Sequence, residues 1–187
     1  MEQVILVMAS TVDGKIAKDF KHVTNWTGTA DKKYYSEITK NVGVMIMGST
    51  TYDTIGKPLP DRLNIVMTQD ESRKSNYDNL IFTRLPPVEV LENLKLKGFK
   101  KATIVGGSTI NSLFIKDNLI THIHLVIVPK LFGSGLSLFN SPLNQNLLLE
   151  TTQLLDNGCV LVIYKIKNKN YNNIYNIEHY VNWKLVV

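Results

Sequence analysis

Five short apolar runs, separated by helix-length segments and each closing in Gly, Ser or Thr, constrain this chain more than any other feature. They are VILVMAS (Val4–Ser10), VGVMIMG (Val42–Gly48), LNIVMT (Leu63–Thr68), LIFT (Leu80–Thr83) and KATIVGG (Lys101–Gly107). Near-continuous hydrophobicity, rather than alternation, marks strands covered on both faces, which is the setting of a parallel sheet. Helical candidates fall between them at 29–40, 49–55, 86–97 and 107–115; the third opens on Pro86-Pro87 and closes before Gly98. The expectation is an α/β fold, with helices on both faces of a central sheet in three layers.

After residue 118 the pattern becomes strand-rich. ITHIHLVIVP is followed by a glycine-containing loop, KLFGSGLSLF, and then by LLLETTQLLDNGCVLVIYKIK, which reads as two strands around a turn at Asp156-Asn157-Gly158. The sheet should therefore be mixed, mostly parallel with an antiparallel C-terminal edge. Residues 1–167 form one expected domain, and 168–187, rich in Asn and Tyr, read as an appended tail.

The 187 residues are 44% hydrophobic and 20% charged, ordinary for a soluble globular chain, and no apolar run approaches the ~20 residues a bilayer span needs. The N-terminus enters a strand almost at once, without the basic and apolar regions of a signal peptide, which predicts a cytoplasmic protein. The single cysteine, Cys159, is expected as a buried strand thiol, and His22, His122, His124 and His179 lack the spacing of a metal site. A net charge of +5 is spread along the chain with no nucleic-acid motif, so a small anionic ligand explains its sign as well as a polynucleotide would. No nucleic acid and no membrane are expected as partners, and the chain is expected as a monomer or homodimer.

Two strand-to-helix junctions carry glycine and hydroxyls, IMGSTTYDTIG at 46–56 and IVGGSTINSLF at 104–114. A helix start offers unpaired N–H groups, and glycine lets a phosphate approach that backbone. Either junction alone could be no more than a tight turn. Two of them at one carboxyl edge of a parallel sheet favour a dinucleotide, although neither is the GxGxxG fingerprint. In GKPLPDRLNIVMT, Pro58 and Pro60 stiffen a loop that brings Arg62 to a strand start, where it could fork onto a carboxylate or phosphate, or pair with Asp61 or a carbonyl. Asp31 falls in helical step with Tyr35 and Ile38, placing a carboxylate on the apolar side of a helix.

Trp26-x4-Asp31, followed by VMIMGSTTYDTIGKPLPDRLNIVMT and then IVGGSTI, resembles the dihydrofolate reductase family in order and spacing over residues 4–115. From Leu119 onward, HIHLVIVPKLFGSGLSLF is similar to the reductase domain of bacterial riboflavin biosynthesis. The resemblance implies the dihydrofolate reductase-like three-layer fold and NADPH as cofactor. NADH is also possible, because Ser49 stands where the family usually carries a basic residue for the 2′-phosphate.

It further implies Asp31 as the catalytic carboxylate, binding a pterin and assisting protonation at N5 while hydride reaches C6. Substrate would lie against Val7, Met8, Ala9, Trp26, Tyr35, Ile55, Leu59, Arg62 and Val126. Cofactor would lie against Ala9 and Ile16, against Gly48, Ser49, Thr50 and Thr51, against Thr68 and Gln69, and against Val105, Gly106, Gly107, Ser108, Thr109 and Ile110. Two positions depart from the family. Val126 stands where a hydroxyl is usual and Asn111 where an aromatic is. The resemblance therefore leaves three activities open: a dihydrofolate reductase, a riboflavin-type pyrimidinone reductase, and a nucleotide-binding protein without catalysis.

Overall fold

The computed structural model describes residues 1–167, so the expected tail at 168–187 lies outside the described residues. In chain order the elements are β1 (Gln3–Thr11), β2 (Lys15–Ala17), α1 (Gly28–Val42), β3 (Val44–Gly48), α2 (Ser49–Ile55), β4 (Leu63–Met67) and β5 (Leu80–Thr83). There follow α3 (Pro87–Leu96), β6 (Lys101–Ile104), α4 (Ser108–Lys116), β7 (His122–Val128), β8 (Leu136–Ser137), β9 (Leu147–Leu154) and β10 (Val160–Ile166). Eight strands form one sheet in the order β5-β4-β3-β6-β1-β7-β10-β9. The pairs from β5 through β7 are parallel, and β10 runs antiparallel to both β7 and β9. The mixed sheet expected from the sequence is the one found.

Successive residues of β1 explain why its sequence does not alternate. Val4 and Leu6 enter a core with Val90, Leu91 and Leu94 of α3 and Phe114 of α4. Ile5 and Val7 enter a second core on the other face, against Tyr35 and Ile38 of α1 and Ile55 of α2. A third cluster, Trp26, Ala30, Val126, Cys159 and Leu161, fills the space between the start of α1 and the antiparallel edge. Cys159 is buried as expected, although it lies one residue ahead of β10. The expected strand at Val42 starts later, because α1 runs on to Val42 and stops at Gly43, whose positive φ of 79° lets its N–H cap the carbonyl of Thr39. KATIVGG is strand only to Ile104, beyond which the Val105 N–H still donates to the Ile46 carbonyl. The short pair β2 and β8, Lys15 facing Ser137 and Ala17 facing Leu136, has too few residues to show a period in sequence.

Buried polar side chains brace the loops around this frame. Asn64, fully buried in β4, accepts from the Leu59 N–H and donates to the carbonyls of Leu59, Arg62 and Asn79, which fixes the proline-containing loop 56–62 against the sheet. On β7, His124 is buried with its Nδ1 2.6 Å from the hydroxyl of Tyr34 on α1. Burial, and secondarily the charge of His122, holds His124 down at about 4, whereas burial raises Tyr34 to about 12, so near neutral pH a protonated hydroxyl meets an uncharged ring.

An unfolded histidine takes up its proton near 6.5 and the folded one resists until about 4. Protonation therefore favours the unfolded chain, and stability should fall as pH drops through that window. Urea unfolding of His124→Gln, which keeps an acceptor for Tyr34 but does not titrate, should show a flatter acid limb than the wild type.

Candidate active site

A cavity of about 650 Å³ opens at the carboxyl ends of β1, β3, β4, β5 and β6, between α1 and α2 on one side and α4 on the other. One end is built by the two glycine junctions. The Gly48 N–H donates to the Gly106 carbonyl at 2.9 Å, bringing the two strand ends level. A Cβ on Gly48 would lie 3.0 Å from Cγ1 of Ile110, and one on Gly106, whose φ is +99°, would lie 3.1 Å from Sδ of Met8. Both positions thus need glycine for close approach, and at Gly106 for backbone geometry too. Gly107 differs, since its φ of −73° suits any residue and a Cβ there would meet only Oγ1 of Thr51 at 3.6 Å. Neither α2 nor α4 has a side-chain cap at its start, so Ser49, Thr50, Thr51, Ser108, Thr109 and Ile110 present first-turn backbone along the cavity wall.

The other end is built on the first turn of α1. Asp31 reaches the cavity, and burial raises its carboxyl above the usual carboxylate range, an effect only partly offset by a hydrogen bond with the Thr27 side chain and the charge of Lys32. Trp26 lies beside it, 7% exposed, edge-on to Phe132 at 4.9 Å, and its Nε1 has no hydrogen-bond partner. Tyr35, one turn after Asp31, is likewise pushed up by burial, with Arg62 pulling the other way. Val7, Met8 and Ala9 of β1 line the cavity together with Ile16, Ile55 and Leu59, and Ile55 and Leu59 pack in the same cluster as Val7.

The cavity gathers most of the residues singled out in the sequence, including Thr68, Gln69, Val105 and Gly107. Three stand elsewhere. Arg62 is only 6% exposed and does not reach the wall. Its Nε donates to the Pro60 carbonyl and its Nη1 to the Ser36 carbonyl and the Thr39 hydroxyl, so the stiffened loop turns it under α1. Its expected alternative partner, Asp61, instead pairs with Lys40 at 2.8 Å. Val126 is buried in the cluster behind Trp26, because β7 points that side chain at Leu161 and Cys159. Gly106 sits behind Met8, between wall residues without lining the wall.

Other wall residues were not anticipated. Met67, Thr83, Arg84 and Leu85 line the end beyond α2, and Arg84 pairs with Glu71. The signal was available, since Arg84 directly follows LIFT and strand carboxyl ends bind ligands in such sheets. Lys32, Asp19, Phe20 and His22 line the mouth near Asp31. Segment 12–22, which carries Asp19, Phe20 and His22, is held by segment 129–140, whose Phe132 and Gly133 N–H groups donate to the Asp13 carboxylate. At Gly135 a Cβ would stand 2.3 Å from the Ala17 carbonyl oxygen, so the β2–β8 pairing admits only glycine there. Among the described residues no group of His, Cys, Asp and Glu could hold a metal ion, and no helix is long and apolar enough to cross a membrane.

A mostly parallel sheet whose strand ends open into one cavity, with a half-buried carboxylate and two glycine-built helix starts on its wall, is the architecture of an α/β reductase. The chain belongs to the dihydrofolate reductase family, whose model matches residues 3–132. It is 24% identical over 128 residues to the dihydrofolate reductase of Candida albicans, covering 64% of this chain and 65% of that one. In fold it is similar to Acinetobacter baumannii RibD, with a TM-score of 0.76 at 18% identity over 89% of this chain and 58% of that one. It is also similar to a Thermotoga maritima diaminohydroxyphosphoribosylaminopyrimidine deaminase/5-amino-6-(5-phosphoribosylamino)uracil reductase, with a TM-score of 0.71 at 18% identity over 88% of this chain and 56% of that one. The chain thus spans a little over half of each of these two proteins, and the likeness to them is one of fold.

A carboxyl group whose pKa is raised by folding binds its proton more tightly in the folded state, so its ionisation opposes folding as pH rises above the ordinary value of 3.8. Asp31→Asn should accordingly raise the Tm at pH 8, and the gain should shrink as the pH is lowered toward that value. Calorimetric scans of both proteins from pH 4 to pH 8, spanning the raised range, test this, and a gain independent of pH would place Asp31 in contact with solvent.

Proposed function

We propose that the protein reduces 7,8-dihydrofolate to tetrahydrofolate with NADPH. The observation that carries this reading is Asp31, a carboxylate with a raised pKa set into an apolar cavity beside Trp26, opposite the paired glycine junctions. The junctions fit the cofactor. Added Cβ atoms at Gly48 or Gly106 would crowd Ile110 or Met8, and the uncapped starts of α2 and α4 have N–H groups to offer a pyrophosphate. Ser49 brings no charge to a 2′-phosphate, but Arg84 lines the wall beyond α2 and could meet it, which supports NADPH over NADH.

When bound, NADPH supplies the hydride that reduces pterin C6. Asp31 would accept hydrogen bonds from the 2-amino group and ring N–H of the pterin, and its raised pKa suits it to help deliver a proton through water to N5. Trp26 lines the cavity beside Asp31, and its Nε1–H, buried without a protein partner, would donate to that water if the water entered the pocket around it. Val7 and Met8 below, Ile55 and Leu59 opposite and Ile16 above would exclude bulk water from the reacting edge.

The second reading is reduction of a ribosylated pyrimidinone phosphate, favoured by the fold likeness to the Thermotoga maritima protein. Following the absorbance of NADPH with each substrate separates the two. Turnover of dihydrofolate supports the first reading, turnover of the pyrimidinone alone the second, and turnover of neither a binding protein.

Asp31→Asn keeps shape and removes charge, so dihydrofolate turnover should fall by ~10²-fold or more, less at low pH where the substrate is already protonated. NADPH affinity should barely change. Wild-type turnover in that variant would remove Asp31 from the chemistry. Gly107→Val should fold, since a Cβ there makes only an ordinary contact with Oγ1 of Thr51 at 3.6 Å, yet weaken NADPH binding by more than tenfold, or ~1.4 kcal/mol. Unchanged affinity by titration calorimetry would take the pyrophosphate away from α4.

A further inference from the structure

We propose that a second cavity, at the far end of α1 from Asp31, binds a free α-amino acid with an apolar side chain. This cavity has a volume of about 320 Å³ and shares no wall residue with the one described above. Ile5 of β1, Ile38 and Val42 of α1 and Ile163 of β10 line it together with two charged groups, Lys101 at the start of β6 and Glu150 on β9.

Those two charges define the chemistry of the ligand. In the order β6-β1-β7-β10-β9 they stand four strand spacings apart, about 19 Å at the usual distance between strands, too far for the two side chains to meet. Among the described residues Lys101 enters no ion pair, and Glu150 has only His122, whose Nε2 stands 3.7 Å from its Oε2. Burial, against the pull of Glu150, holds His122 below its ordinary value of 6.5, so near neutral pH the ring is uncharged and leaves the carboxylate unneutralised. A cavity with a cation on one wall and an anion on the other suits a zwitterion. A simple anion would meet Glu150, and a simple cation Lys101.

His124 lies between them, on the central strand β7, and lines the same cavity although it is only 9% exposed. Its Nδ1 is taken by the Tyr34 hydroxyl, and its Nε2 has no partner among the described residues. A buried ring nitrogen ordinarily finds one. The carboxylate of an amino acid, bound by Lys101, would accept from that nitrogen and select the tautomer with the proton on Nε2, in which Tyr34 donates to Nδ1. The ammonium group would then donate to Glu150, and the side chain would lie against Ile5, Ile38, Val42 and Ile163.

L-Leucine is the probe. Calorimetric titration of the full chain should show that it binds, and that leucinol, which lacks the carboxylate, and N-acetyl-L-leucine, which lacks the ammonium group, bind at least tenfold more weakly. Lys101 and Glu150 are exposed, so Lys101→Gln and Glu150→Gln should fold as the wild type does. Lys101→Gln should lose most of the preference for L-leucine over leucinol, and Glu150→Gln most of the preference over N-acetyl-L-leucine. The ring-nitrogen NMR spectrum of the wild type should show L-leucine fixing the His124 proton on Nε2. No heat from millimolar L-leucine, equal binding of the three probes, both preferences intact in the variants, or a His124 proton on Nδ1 in the complex would each overturn the proposal.

Discussion

The hydrogen bond from the Gly48 N–H to the Gly106 carbonyl is the contact on which the cavity depends. It continues the parallel register of β3 and β6, in which Met45 faces Thr103 and Ile46 faces Ile104, from the last residue of β3 to a point past the end of β6. Thr103 strengthens the same seam by donating its hydroxyl to the Val44 carbonyl at 2.6 Å. Two helices leaving adjacent strands at one level must start side by side, and their first-turn N–H groups then share one space. A Cβ at Gly48 would stand 3.0 Å from Cγ1 of Ile110 and oblige that side chain to give way, so glycine here serves the packing between β3 and α4.

The opposite wall depends on a different device. α1 approaches the sheet with few fully buried side chains of its own, Ala30 and Thr39, and polar contacts complete its anchorage. Arg62 bonds the carbonyl of Ser36 and the hydroxyl of Thr39, and Tyr34 reaches His124 on β7. Buried polar groups are costly unless satisfied. Arg62 at the end of the loop and Asn64 just inside β4 meet that condition through backbone carbonyls of the loop. The helix that carries Asp31 is thereby held in place by groups outside the cavity.

These two devices also separate what was legible in the sequence from what was not. The parallel core was readable because a strand buried on both faces must be apolar at every position, and Val4 to Val7 are. The glycine junctions were readable because two of them fall at one carboxyl edge of a parallel sheet, whereas either alone could have been a tight turn. The direction of Arg62 was not, since Pro58 and Pro60 announce a stiff loop but its aim is set by Asn64 and Asn79, which gather around the Leu59 and Arg62 carbonyls. Val126 was assigned by position along its strand, and the partner that captures it, the Trp26–Cys159 cluster, is assembled from segments more than a hundred residues apart. Arg84 was overlooked for a simpler reason, that a single arginine after a strand looks like any surface arginine until the sheet order places it at the cavity.

Cys159 gives the fold a built-in reporter. It is the sole thiol of the chain, 2% exposed, packed with Trp26 and Ala30 beneath the start of α1, and burial keeps it protonated to higher pH than a free cysteine. A thiol reagent can reach it only when this corner opens, so in native buffer the rate of labelling counts openings of the corner and not of the whole domain. The same corner holds the first turn of α1. Slower labelling in the presence of a ligand would measure, in units of local opening free energy, how firmly that ligand closes the corner over Asp31.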